Sequence, residues 1–257
     1  MKKVLITGAT GLVGTHLIAE LLRSTDATGA PEYELTAVAH SEESWEKLDW
    51  LLMREGLSER PCHRVVAALE YIGDCRQLLQ EVRPDLLFNC AARVAVGKSR
   101  DGEKLVTRNV EITHNLIVAA LELPREEQPL FAHVSSVAAL GSNVNHAGCI
   151  DENSIMENLA GASAYARSKF LSENEVWRGA AHGLHTVIVN PAVILGTMSP
   201  RSGFWLNDLL RAMHKGANRF WIDGTTAFVS ADDVARALVT LSRTPACWGK
   251  RYVLSAE

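Results

Sequence analysis

The sequence predicts an α/β protein with a doubly wound parallel sheet, because strand and helix patterns alternate along its 257 residues. The candidate strands are near-continuous apolar runs, which is typical of strands covered by helices on both faces. These strands fall at 3–7, 33–39, 64–68, 85–90, 130–135 and 185–190. The candidate helices fall at 12–23, 43–56, 75–82, 103–122, 163–181, 205–215 and 231–243. A polar stretch at 142–162 predicts a long loop.

The composition narrows the class of protein. Apolar residues make up 47% of the chain, charged residues 22%, and the net charge is −4, without a basic run. Nucleic acid is therefore not an expected partner. No apolar stretch has the length of a membrane span. The five cysteines lack CxxC spacing and the histidines show no ligand spacing, so we expect a cytoplasmic protein that binds no metal ion.

The first element is a strand followed by a glycine-rich turn and a helix. Glycines stand at 8, 11 and 14, directly after the apolar run at 4–6 and before an apolar-periodic helix. This order suits a dinucleotide: one glycine permits the tight turn, the second lets backbone N–H groups approach a pyrophosphate, and the third lets the helix pack closely. The alternative is a glycine-rich turn without a ligand.

Three polar positions further along have the chemistry of a proton-transfer site. Tyr165 and Lys169 are four residues apart on one predicted helix face, where an ammonium group would lower the pKa of the phenol. Ser136 follows the fifth strand, where open α/β sheets bind ligands. Asn109 lies within a predicted helix. The alternatives are that Tyr165 and Lys169 are paired by chance, that Ser136 belongs to an ordinary turn at the end of a strand, and that Asn109 is an ordinary exposed helix residue.

Several stretches together carry a more specific pattern. They are Thr-Gly-Ala-Thr-Gly-Leu-Val-Gly at 7–14, Asn-Cys-Ala-Ala at 89–92, Asn-Val-Glu-Ile-Thr at 109–113, Val-Ser-Ser-Val-Ala-Ala-Leu-Gly at 134–141, Tyr-Ala-Arg-Ser-Lys at 165–169, Asn-Pro-Ala-Val-Ile-Leu-Gly at 190–196 and Phe-Val-Ser-Ala-Asp-Asp-Val-Ala at 228–235. The chain thus resembles the extended short-chain dehydrogenase/reductase superfamily and, within it, the NAD-dependent epimerase/dehydratase family in its dihydroflavonol reductase-like branch. The resemblance implies a Rossmann fold over 1–190. It also implies an interleaved substrate-binding segment at 191–257, which is truncated or minimal compared with the family.

The resemblance also implies roles for single residues. Tyr165 would be the general acid/base, Lys169 would hold the nicotinamide ribose, Ser136 would polarise the substrate oxygen, and Asn109 would be a structural or water-holding residue. Asp74 would lie by the adenine. The residues implied to bind cofactor are Gly8, Thr10, Gly11, Leu12, Val13, Gly14, His40, Ser41, Asp74, Cys90, Ala91, Ala92, Lys169, Asn190, Pro191 and Val193.

Two departures from the family pattern refine the expected activity. An acid after the second strand would select NAD, but His40 and Ser41 stand there, which favours NADP over NAD. Val137 and Ala138 replace the acidic pair of sugar dehydratases. We therefore expect an NAD(P)-dependent oxidoreductase of a non-sugar alcohol or ketone. The alternatives are a nucleotide-sugar 4-epimerase with tightly bound NAD, a thioester reductase and a non-catalytic NAD(P)-sensing regulator.

The family resemblance also implies a homodimer that pairs through the helices at 103–122 and 163–181. An apolar stripe at helical spacing supports this interface. The same stripe is equally compatible with a helix face that covers the sheet. Its residues are Ile112, Leu116, Ala119 and Ala120.

Overall fold

A computed structural model describes residues 1–93, 102–141, 148–200 and 226–256. Its strands are β1 (Lys2–Thr7), β2 (Tyr33–Ala39), β3 (His63–Val66), β4 (Leu86–Asn89), β5 (Leu130–Val134), β6 (Thr186–Pro191), β7 (Val193–Leu195), β8 (Phe228–Ser230) and β9 (Lys250–Leu254). Its helices are α1 (Leu12–Arg23), α2 (Trp45–Arg54), α3 (Ile72–Val82), α4 (Gly102–Leu121), α5 (Ala164–Ala181) and α6 (Ala231–Ser242).

The predicted doubly wound parallel sheet is confirmed. Seven strands of the described part of the chain pair in the order β3-β2-β1-β4-β5-β6-β9, and every pair is parallel. The order reverses between β1 and β4. Ligands of open α/β sheets bind at such a switch point, outside the carboxyl ends of the strands.

Two apolar clusters cover the two faces of this sheet. In β1, Val4 and Ile6 point into one cluster and Leu5 points into the other, because successive side chains of a strand alternate between faces. The first cluster joins the sheet to α1, α2 and α6, and the second joins it to α3, α4 and α5. Both faces are therefore dry, which explains the apolar strand sequences.

The C-terminal part of the chain contributes strands that the sequence patterns did not reveal. β9 pairs with β6 as the seventh strand of the main sheet, while β7 and β8 form a separate two-stranded parallel sheet. Helix α6 packs against α1. Part of the segment at 191–257 is thus built into the core. The helix expected at 205–215 lies outside the described residues, and the described part of the expected loop, 148–162, contains neither helix nor strand.

The apolar stripe of α4 belongs to the core. Ile112, Leu116, Ala119 and Ala120 are at most 6% exposed and lie in the second cluster. Of the two interpretations of this stripe, the structure therefore supports the helix face that covers the sheet. Among the described helices, none is long and apolar enough to cross a membrane.

The glycine turn is packed too tightly for side chains. Gly8 has φ +64°, and a Cβ there would lie 2.6 Å from Ala91 N and from the Cys90 carbonyl. A Cβ on Gly14 would overlap the carbonyl oxygen of Gly8. The turn, the start of α1 and the residues after β4 are therefore in backbone contact with one another.

We predict that Gly14→Ala lowers the free energy of unfolding by about 1–3 kcal/mol, because the new methyl group overpacks rigid backbone. Urea unfolding monitored by circular dichroism measures this loss. Gly73→Ala is the matched control, since a Cβ at Gly73 meets nothing within 4 Å. Equal stability of the two variants would contradict the close packing described for the turn.

Candidate active site

The turn between β1 and α1 has the features of a phosphate site. Helix α1 begins at Leu12 after Gly11, which makes no side-chain cap, and its first turn holds no acidic residue. The first N–H groups of a helix lack internal acceptors and carry the positive end of the helix dipole, so they bind anions. The turn also lies against Cys90 and Ala91, at the carboxyl edge of the sheet. These residues fit the pyrophosphate of a dinucleotide.

A small cavity opens beside this turn. Lys47, on the first turn of α2, lines it although the sequence analysis did not select that lysine. The cavity is lined by Thr10, Gly11, Thr15, Lys47, Leu51, Thr197, Met198 and Ser199. The available signal was a lysine seven residues after His40, at the start of the helix that follows β2. A larger cleft, of about 590 Å³, lies elsewhere, where Phe170 and Trp177 of α5 face Lys250 and Arg251.

A buried histidine holds one wall of the small cavity. His16 Nδ1 on α1 lies 2.7 Å from Asp232 Oδ1 on α6, and its Nε2 lies 2.9 Å from the Thr197 carbonyl oxygen. The histidine is 5% exposed. It therefore connects the stretch after β7 and helix α6 to helix α1, which follows the glycine turn. His16 and Asp232 are 216 positions apart, so no local sequence pattern predicts this contact.

Three residues that were predicted to bind cofactor lie after β2 and β3. His40 is exposed directly after β2, and Ser41 precedes a short 3-10 helix, Glu42–Ser44. Asp74 lies in the first turn of α3, where its Oδ2 accepts the N–H of Ala68 at 3.1 Å. Its carboxylate therefore holds the loop after β3, and a contact of Asp74 with adenine stays a prediction.

The proton-transfer candidates meet where β5 ends and α5 begins. Ser163 caps α5, since its Oγ accepts the N–H of Ala166 at 3.1 Å, and this cap puts Tyr165 in the first helical turn. Ser136 caps the 3-10 helix Val137–Leu140 in the same way, through the N–H of Ala138. The side chains of Ser136 and Tyr165 are close enough to interact.

The phenol of Tyr165 is not activated in the way that the sequence suggested. Burial raises its pKa above the ordinary value of 10, and the interaction with the Ser136 hydroxyl group opposes that rise. The expected effect of Lys169 is missing because its ammonium group is bound elsewhere: Lys169 Nζ donates to the Val134 carbonyl oxygen at 2.7 Å. The phenol is therefore protonated at neutral pH.

Lys169 lies in a dry environment. It is 5% exposed, and burial lowers its pKa from 10.5 to about 8, whereas Cys90 and Glu173 raise it. Burial also raises the pKa of the Cys90 thiol to about 12 and holds the pKa of the His133 imidazole well below 6.5. At neutral pH the thiol and the imidazole near this ammonium group are thus uncharged.

Asn109 organises backbone rather than facing Tyr165. Its Oδ1 accepts the N–H of Arg93 at 2.8 Å, and its Nδ2 donates to the Arg93 carbonyl oxygen at 3.0 Å and to Ser168 Oγ at 3.2 Å. The buried amide therefore ties the loop after β4 to α4 and α5. A catalytic or water-holding role of Asn109 stays a prediction.

Asn190, at the end of β6, reaches the same region. Its Nδ2 donates to the Ser136 carbonyl oxygen at 3.0 Å and to Glu173 Oε1 at 2.6 Å. Glu173 is 2% exposed and was not selected from the sequence, although its spacing of four from Lys169 places it on the same helix face. The structure thus brings together Ser136, Tyr165, Lys169, Cys90 and Asn190, while Asp74 and Asn109 hold neighbouring loops.

A parallel sheet of this order, with a glycine-rich turn and a Ser–Tyr–Lys set at its carboxyl edge, is typical of NAD(P)-dependent oxidoreductases. The chain belongs to the NAD-dependent epimerase/dehydratase family, whose model matches residues 4–254. Members of this family are NAD(P)-dependent enzymes, and the resemblance found in the sequence is confirmed.

Individual relatives differ in activity. Sterol demethylase protein B of Methylococcus capsulatus is 28% identical over 253 residues, which cover 98% of this chain and 69% of that protein. The solved structure of yeast methylglyoxal/isovaleraldehyde reductase Gre2 with NADPH has a TM-score of 0.75 at 16% identity. The match covers 98% of this chain and 78% of the reductase chain. The UDP-glucose 4-epimerase of Thermotoga maritima has a TM-score of 0.71 at 19% identity and covers 99% and 77%. At these identities the two structures share the fold with this chain.

Proposed function

We propose that this protein transfers a hydride between a nicotinamide cofactor and the carbinol or carbonyl carbon of a non-sugar substrate. The observation that carries the proposal is the interaction between the Ser136 and Tyr165 side chains, near buried Lys169 and at the same sheet edge as the glycine turn. Such a set can hold a substrate oxygen and exchange a proton with it.

Each residue has a separate task in this reaction. When bound, the nicotinamide supplies or accepts the hydride. Ser136 Oγ holds the substrate oxygen by a hydrogen bond, and Tyr165, which is protonated at neutral pH, donates its proton to that oxygen during reduction. Lys169, whose ammonium group donates to the Val134 carbonyl oxygen, would hold the nicotinamide ribose. The uncapped N–H groups at the start of α1 hold the pyrophosphate.

The side chains after Ser136 support a non-sugar substrate. Val137 and Ala138 are half-buried and start the short 3-10 helix, so no acid stands at either position to expel a hydroxyl group. Apolar surface next to the reacting oxygen suits a partly hydrophobic alcohol or ketone better than a nucleotide sugar.

We predict that Tyr165→Phe lowers turnover by about two to four orders of magnitude, the usual contribution of a positioned general acid, with cofactor affinity nearly unchanged. Absorbance loss of NADPH in a screen of carbonyl compounds measures turnover, and calorimetry measures affinity. Near-normal turnover of the variant would end the assignment of Tyr165. A protein that instead interconverts UDP-sugars without net change in absorbance would be a 4-epimerase.

We further propose that the cofactor is NADP. Lys47 lines the cavity beside the glycine turn, and no ion pair of Lys47 with another described residue occurs, so its ammonium group is available to a phosphate. His40 adds no negative charge after β2. A 2′-phosphate therefore meets a cation here rather than the acid that selects NAD.

We predict that NADPH binds at least as tightly as NADH. Lys47→Gln should weaken NADPH by about tenfold, the equivalent of one charge-assisted hydrogen bond, and leave NADH unchanged. His40→Asp should shift the preference toward NADH by like-charge repulsion. Lys250→Gln, which removes the same charge at the distant cleft, is the control. Strong preference of the unaltered protein for NADH in calorimetry would refute the proposal.

We propose a cytoplasmic homodimer that pairs through the outer faces of α4 and α5. Those faces carry an ion pair of Glu103 with Arg167 and a hydrogen bond between His114 and Glu175. Val110 and Leu171 lie half-buried on the same helices. A two-fold interface can repeat such a mixed face on both partners.

Leu171→Glu should therefore yield a folded monomer in light scattering, because an unpaired charge in an interface core is costly. Met53→Glu is the control, since Met53 is an exposed apolar residue on α2. An unaltered protein that is monomeric at high micromolar concentration would rule out this assembly.

A further inference from the structure

A buried carboxylate lies one helical turn beyond Lys169 and takes no part in the reaction described above. Glu173 Oε1 accepts hydrogen bonds from Ser135 Oγ at 2.5 Å and from Asn190 Nδ2 at 2.6 Å, and Oε2 accepts from Arg251 Nη1 at 3.2 Å. Glutamate is almost never fully buried without a partner, because removing a charge from water is costly. A site that retains one needs a reason for it.

The hydrogen bonds of Glu173 lead to Ser136. The Asn190 amide that donates to Glu173 also donates to the Ser136 carbonyl oxygen. Ser135, which donates to Glu173 as well, directly precedes Ser136 in the chain. Glu173 therefore fixes both the residue before Ser136 and the backbone of Ser136 itself. Misplacing a substrate-holding hydroxyl by a fraction of an ångström is enough to slow a reaction.

Arg251, which pairs with the Glu173 carboxylate, is itself held by two backbone carbonyl groups. The Arg251 guanidinium on β9 donates through Nε to the Glu152 carbonyl oxygen and through Nη2 to the Ser154 carbonyl oxygen, both at 2.7 Å. Its side chain is 16% exposed, against 2% for Glu173. The edge strand and the loop that leads toward α5 thus hold the guanidinium in place, so the carboxylate stays aligned.

Glu173 also supplies charge to Lys169. The titratable groups that act on this lysine are the Cys90 thiol after β4, the His133 imidazole on β5 and Glu173 on its own helix. The thiol and the imidazole are uncharged at neutral pH, for the reasons given above. Cys90 and Glu173 both raise the pKa of Lys169, and because the thiol is uncharged at neutral pH, the carboxylate is the one of the two that supplies a charge there.

We propose that Glu173 is a positioning residue of the active site, which holds Ser136 in place through Asn190 and provides the negative charge opposite Lys169, while Arg251 keeps its carboxylate in position. The proposal rests on the function proposed for Ser136, Tyr165 and Lys169. The proposed role predicts that a substitution of Glu173 has two effects. One is on the geometry of Ser136, and the other is on the protonation of Lys169.

The test uses Glu173→Gln, which keeps the shape and an acceptor oxygen but removes the charge. Lys169 should then lose its proton at lower pH, by a shift on the order of one pH unit for the loss of a near charge at an effective dielectric of protein interiors. Nuclear magnetic resonance of ¹⁵N-lysine-labelled protein reads this midpoint directly, with Lys169→Arg identifying the signal. The alkaline limb of kcat should move down with it, and kcat should fall while cofactor affinity changes little.

Controls distinguish this role from a structural one. Glu175→Gln removes a charge two residues along the same helix and should leave the Lys169 midpoint in place. Glu173→Gln/Arg251→Gln removes both charges of the buried pair, so it should regain stability yet keep a smaller downward shift of the lysine midpoint. This double variant provides the measurement if the single variant does not fold.

An unchanged lysine midpoint and an unchanged alkaline limb in folded Glu173→Gln would overturn the proposal. If the unaltered protein reduces no carbonyl compound, the reductase proposal fails, whereas the lysine titration still decides whether Glu173 supplies charge to Lys169. The two failures are therefore distinguishable.

Discussion

The arrangement of the site depends on backbone packed directly against backbone at the first turn. Gly14 has no side chain where α1 rests on the carbonyl of Gly8, and Gly8 leaves no room for one against Cys90 and Ala91. This contact aims the start of α1 at the carboxyl edge and draws the end of β4 alongside it. Because Cys90 also lies near Lys169, the glycine turn and the set of Ser136, Tyr165 and Lys169 share one edge of the sheet.

Burial then sets the charges at that edge. Exclusion of water disfavours every ionised form, so the Cys90 thiol, the His133 imidazole and the Tyr165 phenol are uncharged at neutral pH, while Lys169 has a pKa of about 8. The lysine keeps its proton because Val134 offers a carbonyl oxygen and Glu173 a carboxylate. A protonated phenol is the state that proton donation to a carbonyl oxygen requires.

Local patterns predicted most of the fold and half of the site. Buried parallel strands are apolar runs, and the glycine turn and the Tyr165–Lys169 pair have fixed spacings, so each was visible in the sequence. β9 was not, because its partly exposed Lys-Arg-Tyr-Val-Leu run lacks that signature. Glu173 and Arg251 are 78 residues apart, and only the completed sheet makes them neighbours. Helical periodicity showed that one face of α4 is buried but not which surface covers it.

The direction of the Tyr165 pKa shows a similar limit of sequence patterns. Spacing places the Lys169 ammonium group on the same helix face as the phenol. In the folded protein this ammonium group donates to a backbone carbonyl oxygen, so desolvation rather than the lysine charge sets the direction of the phenol pKa. That carbonyl belongs to Val134, on a different element from either residue. Residue type and spacing therefore identify candidates for proton transfer, whereas their protonation states require the three-dimensional surroundings.

Ser136 connects these arguments, since one hydroxyl serves both the fold and the chemistry. A hydroxyl has one donor and two acceptor positions. One acceptor position caps the 3-10 helix through Ala138, and this leaves the O–H group and a second lone pair for Tyr165 and a substrate oxygen. The cap fixes the oxygen without using its proton. The capped turn begins with Val137 and Ala138, so neither position holds an acid that could expel a hydroxyl group. This supports the proposed hydride transfer, with Tyr165 as the proposed proton donor, over elimination.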